Sequence, residues 1–182
     1  MSDPVTPLNH ARFDGFAQIR EIGPLGMISF RARPDAAGLA KAVKAATGCA
    51  VPMLRRIEIN GGNAAGWMSP DELLLILPYG ETDTAMRAIG KAMADAHHLA
   101  AVVSDARAVF RIDGDRADQV LMKLAPVDLA RLEPGELRRT RVAQVAAAFW
   151  RDEAGMTLIC FRSVAGYVFD LLCHSARPGA EI

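Results

Sequence analysis

The sequence predicts an α/β domain of the α+β kind, made of two imperfect copies of a βαββα unit with mixed or antiparallel sheets. Three observations carry this. Leu73-Leu-Leu-Ile-Leu77 is an apolar run too short for a helix, stopped by Ser69-Pro70-Asp71 on one side and Pro78 on the other. That is the pattern of a strand buried on both faces. About 83 residues later Met156 to Phe161 repeats the run, again behind a tryptophan and an Asp-Glu pair, Trp150 and Asp152-Glu153 answering Trp67 and Asp71-Glu72. Around these runs, segments of period two and segments of period three to four recur in the same order twice. One such unit alone would leave an apolar sheet face bare, whereas two can bury a continuous core under their helices.

Taken in order, residues 1–26 read as an irregular N-terminal arm, because Pro4, Pro7, Gly15, Gly23, Pro24 and Gly26 keep resetting the backbone. Its Phe13, Phe16, Ile19, Ile22 and Leu25 fit a tail packed on its own domain as well as an arm laid across a neighbour. The first module spans 27–100. Ile28, Phe30 and Ala32 alternate with Ser29 and Arg31 as a strand with one buried side. After Arg33-Pro34-Asp35, the positions Ala36, Leu39, Ala40 and Val43 line one face of a helix that Gly48 closes. A strand is expected over Arg55–Asn60, with Ile57 and Ile59 inward, and Gly61-Gly62-Asn63 as its turn. The hairpin arm Trp67–Leu77 follows, then a helix from Thr82 with Ala85, Ile89, Ala92, Met93 and Ala96 on one face. Ala101–Val103 is a strand leading into the second module, 101–182, which packs with the first as one domain.

The second module repeats the first. Phe110 and Ile112 answer Ile28 and Phe30 at an offset of 82; Ala117, Val120, Leu121 and Leu124 make the helix, and Val168, Leu171 and Leu172 line the last one. Arg138-Arg139 answers Arg55-Arg56, and Trp150 answers Trp67, both at an offset of 83.

Composition narrows the function classes. Formal charge is zero, from 21 basic and 21 acidic side chains, which argues against a nucleic-acid scaffold and lowers the electrostatic barrier to a protein partner. No apolar window reaches membrane-span length and no secretion signal is evident near the start, so a cytoplasmic chain is expected. Cys49, Cys160 and Cys173, odd in number and far apart, fit reduced thiols better than a disulfide framework.

No convergent reactive set stands out, so the expected catalytic, cofactor and metal residues of this chain are none. His97-His98 are neighbours expected to diverge at a helix end, unlike a chelating pair four residues apart; His10 and His174 have no evident partner. Cys173-His174 would face apart on a helix. Asp71-Glu72, Asp113 with Asp115, and Asp152-Glu153 lie in turns, where caps and solvated charge account for them, with Asp115 as the expected cap of the following helix. Arg138-Arg139-Thr140-Arg141 is the exception. On a strand Arg139 and Arg141 share a face, with Arg138 opposite. They fit a guarded sheet edge, or guanidiniums that pair with carboxylates of another subunit. Arg55, Arg56, Trp67 and Trp150 join them as candidate interface residues, the tryptophans being core residues unless the hairpins project.

The blocks Trp67-Met-Ser-Pro-Asp-Glu-Leu-Leu-Leu-Ile-Leu-Pro78, Val103-Ser-Asp-Ala-Arg-Ala-Val-Phe-Arg-Ile-Asp-Gly114, Leu121-Met-Lys-Leu-Ala-Pro-Val-Asp-Leu129 and Arg138-Arg-Thr-Arg141 resemble the gamma subunit of heterotetrameric sarcosine oxidase, over about residues 25–175. That family in turn resembles the folate-binding domain of the aminomethyltransferases. The resemblance implies a non-catalytic subunit beside alpha, beta and delta chains, supporting the large alpha subunit most directly. It implies a complex that demethylates sarcosine with oxygen to glycine, peroxide and formaldehyde or methylene-tetrahydrofolate. FAD, FMN, NAD, zinc and tetrahydrofolate would then belong to the partner subunits, and no flavin-attachment or folate-binding position of the family maps onto this chain. A subunit of the related N-methylglutamate dehydrogenase fits the same blocks. From other classes, a self-standing folate-dependent one-carbon transferase and a small-molecule binding domain remain open.

Overall fold

The computed structural model of the chain describes residues 3–182; the first two residues of the expected N-terminal arm lie outside them. Along the chain run β1 (Arg12–Asp14), β2 (Gln18–Ile22), β3 (Leu25–Ala32), α1 (Leu39–Thr47), β4 (Ile57–Asn60), β5 (Asn63–Ser69), β6 (Glu72–Pro78) and α2 (Thr82–Ala92). Then come β7 (His98–Val102), β8 (Arg107–Asp113), α3 (Ala117–Met122), β9 (Leu137–Val142), β10 (Val145–Asp152), β11 (Gly155–Phe161) and α4 (Ala165–Ser175). They fall into two compact units: a middle unit, Leu25–Ser104, and a split unit made of the residues up to Pro24 together with Asp105–Ile182. The unit boundaries therefore follow Pro24 and Ser104, where the sequence placed them at 26 and 100.

The middle unit is a sheet of order β4-β5-β6-β3-β7 with α1 and α2; the split unit is a sheet of order β1-β2-β8-β11-β10-β9 with α3 and α4. All named pairings are antiparallel. In the middle unit the helix-side core joins Ile28, Phe30, Leu73, Leu75 and Leu77 of the sheet to Leu39, Val43 and Ile89 of the helices. In the split unit Phe110, Ile112, Phe149 and Leu158 meet Val120, Leu121, Val168 and Leu172. Each fully buried side chain of this size contributes about 1.5–3 kcal/mol by leaving water. Every residue from Leu73 to Leu77 is buried, as its unbroken apolar run predicts.

Local chemistry sets the helix limits. Gly48, at φ 73°, closes α1 by donating its N–H to the Lys44 carbonyl. The start of α1 is later than the apolar period suggests, because Gly38 adopts φ 91° and holds the first turn back to Leu39. No side-chain cap is found at α3: Arg116 precedes it, so Asp115 does not cap as expected. The strand expected from Arg55 begins at Ile57, since Arg55 is left-handed at φ 64°.

The N-terminal segment is not irregular. It supplies β1 and β2, and β2 pairs with β8 from Gln18↔Asp113 to Ile22↔Val109. The buried Glu21 carboxylate accepts backbone N–H groups from Leu8 (3.1 Å) and His10 (2.9 Å), which fixes the preceding turn. Pro7, Gly15 and Gly23 sit between these pieces and end them, without preventing them. Of the two readings of this segment, packing on its own chain is the one seen.

The strands β2 and β7 are exchanged between the copies. β7 flanks β3, and β2 holds the corresponding place beside β8, although β2 directly precedes β3 in sequence. Ala101–Val103, expected to lead into the second half, thus overlaps a strand of the first sheet.

Pairing registers fix the internal repeat. Phe30 faces Leu73 as Ile112 faces Met156, and Ile28 faces Leu75 as Phe110 faces Leu158, so the offset of 82 between β3 and β8 holds. The tryptophan and arginine matches do not. Trp67 pairs with Leu73 and Ser69 with Glu72, leaving Met68 as one extra residue in a β-bulge that β10 lacks. Beyond that bulge the offset is 84, and Trp67 corresponds to Arg151 while Trp150 corresponds to Gly66. The shorter β4–β5 hairpin resets the next strand to an offset of 80, placing Glu58 and Ile59 opposite the roles of Arg138 and Arg139. A single inserted residue is enough to turn a side chain to the other face.

Candidate interaction surface

Besides Glu21, the buried charge of the split unit is Arg111 in β8, around which two carboxylates gather. Its Nε donates to Asp113 (2.7 Å), Nη1 to Thr157 (3.0 Å) and to Asp152, and Nη2 to Asp152 (2.6 Å), while Arg20 donates to the far oxygen of Asp113 (2.9 Å). Asp152 also accepts the N–H groups of Ala154 (2.9 Å) and Gly155 (3.1 Å), so one carboxylate closes the β10–β11 turn and clamps it to β8. Burial works to raise the Asp152 pKa, but the Arg111 contacts and these amides prevail and hold it below the ordinary carboxylate value. A carboxyl kept ionised is the opposite of a general acid. A cleft of about 280 Å³ beside this turn is lined by Gly114, Asp118, Arg151 and Asp152. Asp115 and Glu153 also line it, and within it Arg151 donates to Asp118 (3.2 Å) and to the Leu129 carbonyl (3.3 Å).

The other residues weighed for chemistry are likewise engaged or badly placed for it. Asp71 is lowered first by the Ser69 hydroxyl and also pairs with Arg31; Glu72 is buried and binds Ser29 (2.8 Å) and Arg31 (2.8 Å). Glu72 is therefore an enclosed structural carboxylate, where a solvated one was expected. Burial pushes the Cys160 thiol up to about 12 and Cys173 up to about 11, away from the thiolate a nucleophile needs. His98 opens β7, where its ring lies edge-on to Phe30, so the histidine pair is not at a helix end. Among the described residues no group of three or more His, Cys, Asp or Glu could hold a metal ion, and no helix is long and apolar enough to cross a membrane.

The predicted interface residues do not hold equivalent positions in the two units. Arg138, Arg139 and Arg141 lie on β9, an edge strand of the split unit; Arg138 pairs with Glu136 (2.6 Å), and Arg139 and Arg141 are exposed on one face, as alternation requires. No ion pair joins Arg139 or Arg141 to a carboxylate among the described residues. Arg55 and Arg56 belong to the turn before β4, one of the two edge strands of the middle unit. Trp67 and Trp150 are buried, at 6% and 4% exposure, and project from neither hairpin. Trp67 faces the helix-side core and donates its indole N–H to the Pro52 carbonyl (2.7 Å), whereas Trp150, across from Leu137 and Thr157, lies on the opposite face of its sheet from Phe149. The core reading of both rings holds.

Sequence reasoning missed Met53, Leu54 and Ile59, exposed at 75%, 58% and 50%. The signal was the Met-Leu pair between Pro52 and Arg55, outside any periodic element. Ile59 looked like a core residue because it alternates with Glu58; Ile57 alone of that pair is buried.

Comparison with known proteins gives this arrangement a family. The model of the family described as "Sarcosine oxidase, gamma subunit family" matches residues 32–176. The chain is 33% identical over 144 residues to the sarcosine oxidase subunit gamma of an Arthrobacter sp, covering 75% of this chain and 68% of that one. It is 32% identical over 119 residues to the corresponding subunit of Corynebacterium sp. (strain P-1), 63% of this chain but 56% of the relative's length. Among solved structures, a chain of the heterotetrameric sarcosine oxidase from Corynebacterium sp. U-96 superposes with TM-score 0.80 at 24% identity, covering 91% of this chain and 87% of that one. Aminomethyltransferase T of the glycine cleavage system from Bartonella henselae shares the fold with TM-score 0.64 at 14% identity, over 87% of this chain and 45% of that one.

Proposed function

Because the chain belongs to the sarcosine oxidase gamma subunit family, we propose that it serves as the non-catalytic gamma subunit of a heterotetrameric sarcosine oxidase. It packs against the large alpha subunit, with beta and delta chains completing the assembly. FAD, FMN, NAD, zinc and tetrahydrofolate are carried by those partners in a cytoplasmic complex that demethylates sarcosine. The observation that supports this best is the family match across residues 32–176, spanning parts of both units. The engagement of Arg111, Asp113 and Asp152 with one another supports a structural use of the buried charge. Purification from its source through a tag on this chain, followed by native mass measurement, is expected to give one four-chain species containing the oxidase subunits. A lone chain that binds a reduced folate saturably would overturn the reading in favour of a one-carbon transferase.

Arg139 and Arg141 take part in that packing, each paired with a carboxylate of the neighbouring subunit. Charge reversal at both (R139E with R141E) is expected to weaken retention of the partners roughly tenfold or more while leaving the melting of the isolated chain in place. Unchanged retention would leave them as guards of the β9 edge.

A further inference from the structure

The internal repeat leaves one place in the fold unfilled. In the split unit the strand beside β8 is β2, and β1 covers the outer side of β2 through Arg12↔Arg20, Phe13↔Ile19 and Asp14↔Gln18. In the middle unit the corresponding strand beside β3 is β7, and among the described residues no strand lies outside it. The two flanking strands match closely. Ile19 lies opposite Ile112 as Ala100 lies opposite Phe30, and Gln18 lies opposite Asp113 as Leu99 lies opposite Arg31. The stretch of β2 that β1 covers, Gln18 to Arg20, therefore corresponds to Leu99 to Ala101 of β7.

Backbone alternation shows which groups of β7 face the empty place. The Val103 N–H donates to the Met27 carbonyl of β3 (2.8 Å), so Leu99 and Ala101 also bond toward β3, while Ala100 and Val102 turn their N–H and C=O groups outward. Among the described residues no hydrogen bond takes up those outward groups. In β2 the residue matching Val102 is Glu21, and its N–H donates to the Ala11 carbonyl just before β1 (2.9 Å). β7 is also the least defended edge. β1 carries Arg12 and Asp14, β4 carries Glu58 and β9 carries three arginines, whereas His98-Leu-Ala-Ala-Val102 has no carboxylate, lysine, arginine or proline. Charge and proline are what keep a free edge from pairing. Leu99 and Val102 are exposed there at 59% and 48%.

The covered copy also indicates the chemistry of the missing strand. Phe13 of β1, opposite Ile19, packs on the helix-side core of the split unit. The matching position outside β7 lies beside Ala100, which with Ala96 borders the helix-side core of the middle unit as small, partly buried side chains. A second copy of β7 paired about Ala100 would set alanine against alanine and leave that place open. We infer that β7 accepts an extended antiparallel segment of a partner subunit, with one large apolar side chain seated beside Ala100. This rests on the gamma subunit reading above and adds to it the edge by which the middle unit takes up its neighbour.

The test follows amide hydrogen exchange in the full chain, alone and within the tagged complex purified from its source, with native mass measurement giving the chains present. The Ala100 and Val102 amides are expected to exchange roughly tenfold or more slowly in the complex than in the chain alone, while the Leu99 and Ala101 amides, bound to β3, are protected in both. Ala100→Pro removes an outward N–H and spares the β3 ladder, a change that a strand edge tolerates. It is expected to lower partner retention roughly tenfold while the isolated variant keeps the circular dichroism of wild type. The wild-type exchange decides the matter even where A100P disturbs β7. Fast exchange of Ala100 and Val102 within an intact four-chain complex would overturn the added strand and leave the subunit reading standing, as would wild-type retention by a folded A100P. Protection of both amides in a dimer of this chain alone would assign the edge to a second copy and overturn the partner segment. A tagged wild-type chain that brings down no oxidase subunit would overturn the subunit reading and this inference with it.

Discussion

Replacing Arg111 by methionine is expected to destabilise the split unit by about 2–4 kcal/mol at neutral pH, read as a lower urea midpoint. Removing one partner of a buried ion pair typically costs about 3–5 kcal/mol, because the other charge is left without compensation. Here the Asp113 and Asp152 side chains keep 23% and 32% of their exposure, so water recovers part of that cost. Methionine fills much of the volume, so the loss reports the charge and not a cavity. The pH dependence supplies a check that packing alone would not. Asp152 has a depressed pKa in the folded chain, so its contribution is fully present above the unfolded carboxylate value of about 4 and fades as pH falls below it. Without Arg111 the share of that contribution owed to the ion pair is missing at every pH, and only the Ala154 and Gly155 amides still favour the charged form. The gap between wild type and variant is therefore expected to narrow steadily in urea melts taken from about pH 6 down to about pH 3. A gap of constant size across that range would assign the loss to packing.

The same residue shows what a single sequence can and cannot display. Arg111 stands at an alternate position of β8, between Phe110 and Ile112, and reads as the solvated side of a half-buried strand. Its burial follows from Asp152 on β10 and Thr157 on β11, more than forty residues away in sequence, reaching it beside Asp113 of its own strand. No local pattern records such a meeting. Periodicity did record the strands from β3 onward and the helices, though not β1 and β2, and the β3–β8 offset, because those depend on side chains a few positions apart. It failed where one residue changes a register. Trp67 and Trp150 match by spacing, yet the Met68 bulge sends one ring to the helix side and the other to the opposite face. Arg55-Arg56 and Arg138-Arg139 part company for the same reason, through hairpins of unequal length. The exchange of β2 and β7 was hidden too, since a five-residue strand flanked by glycine and proline looks like loop until its partner β8 is known.

Trp67 joins the core of the middle unit to its exposed turn, and two substitutions should separate the roles. Trp67→Ala removes a side chain of 6% exposure from the cluster containing Leu73, Leu75 and Leu39, and is expected to cost about 3–5 kcal/mol, because a cavity of that size collapses incompletely. Trp67→Phe keeps most of the apolar contact and deletes the indole N–H that donates to Pro52, leaving that carbonyl without its partner at a cost of about 1–2 kcal/mol. Differential scanning calorimetry of the isolated chain gives both numbers. The phenylalanine variant carries the sharper consequence, because its chain stays folded while the Pro52–Arg56 turn loses one of its fixed points. Hydrogen exchange at the Arg56 amide, which donates to the Met53 carbonyl within that turn, should then quicken by more than the small loss of global stability would produce. Equal exchange in Trp67→Phe and wild type would mean that the turn is held well enough by the Arg56–Met53 hydrogen bond and the left-handed Arg55 alone. The ring would then serve the core, and the shape of the turn would be a property of its own backbone.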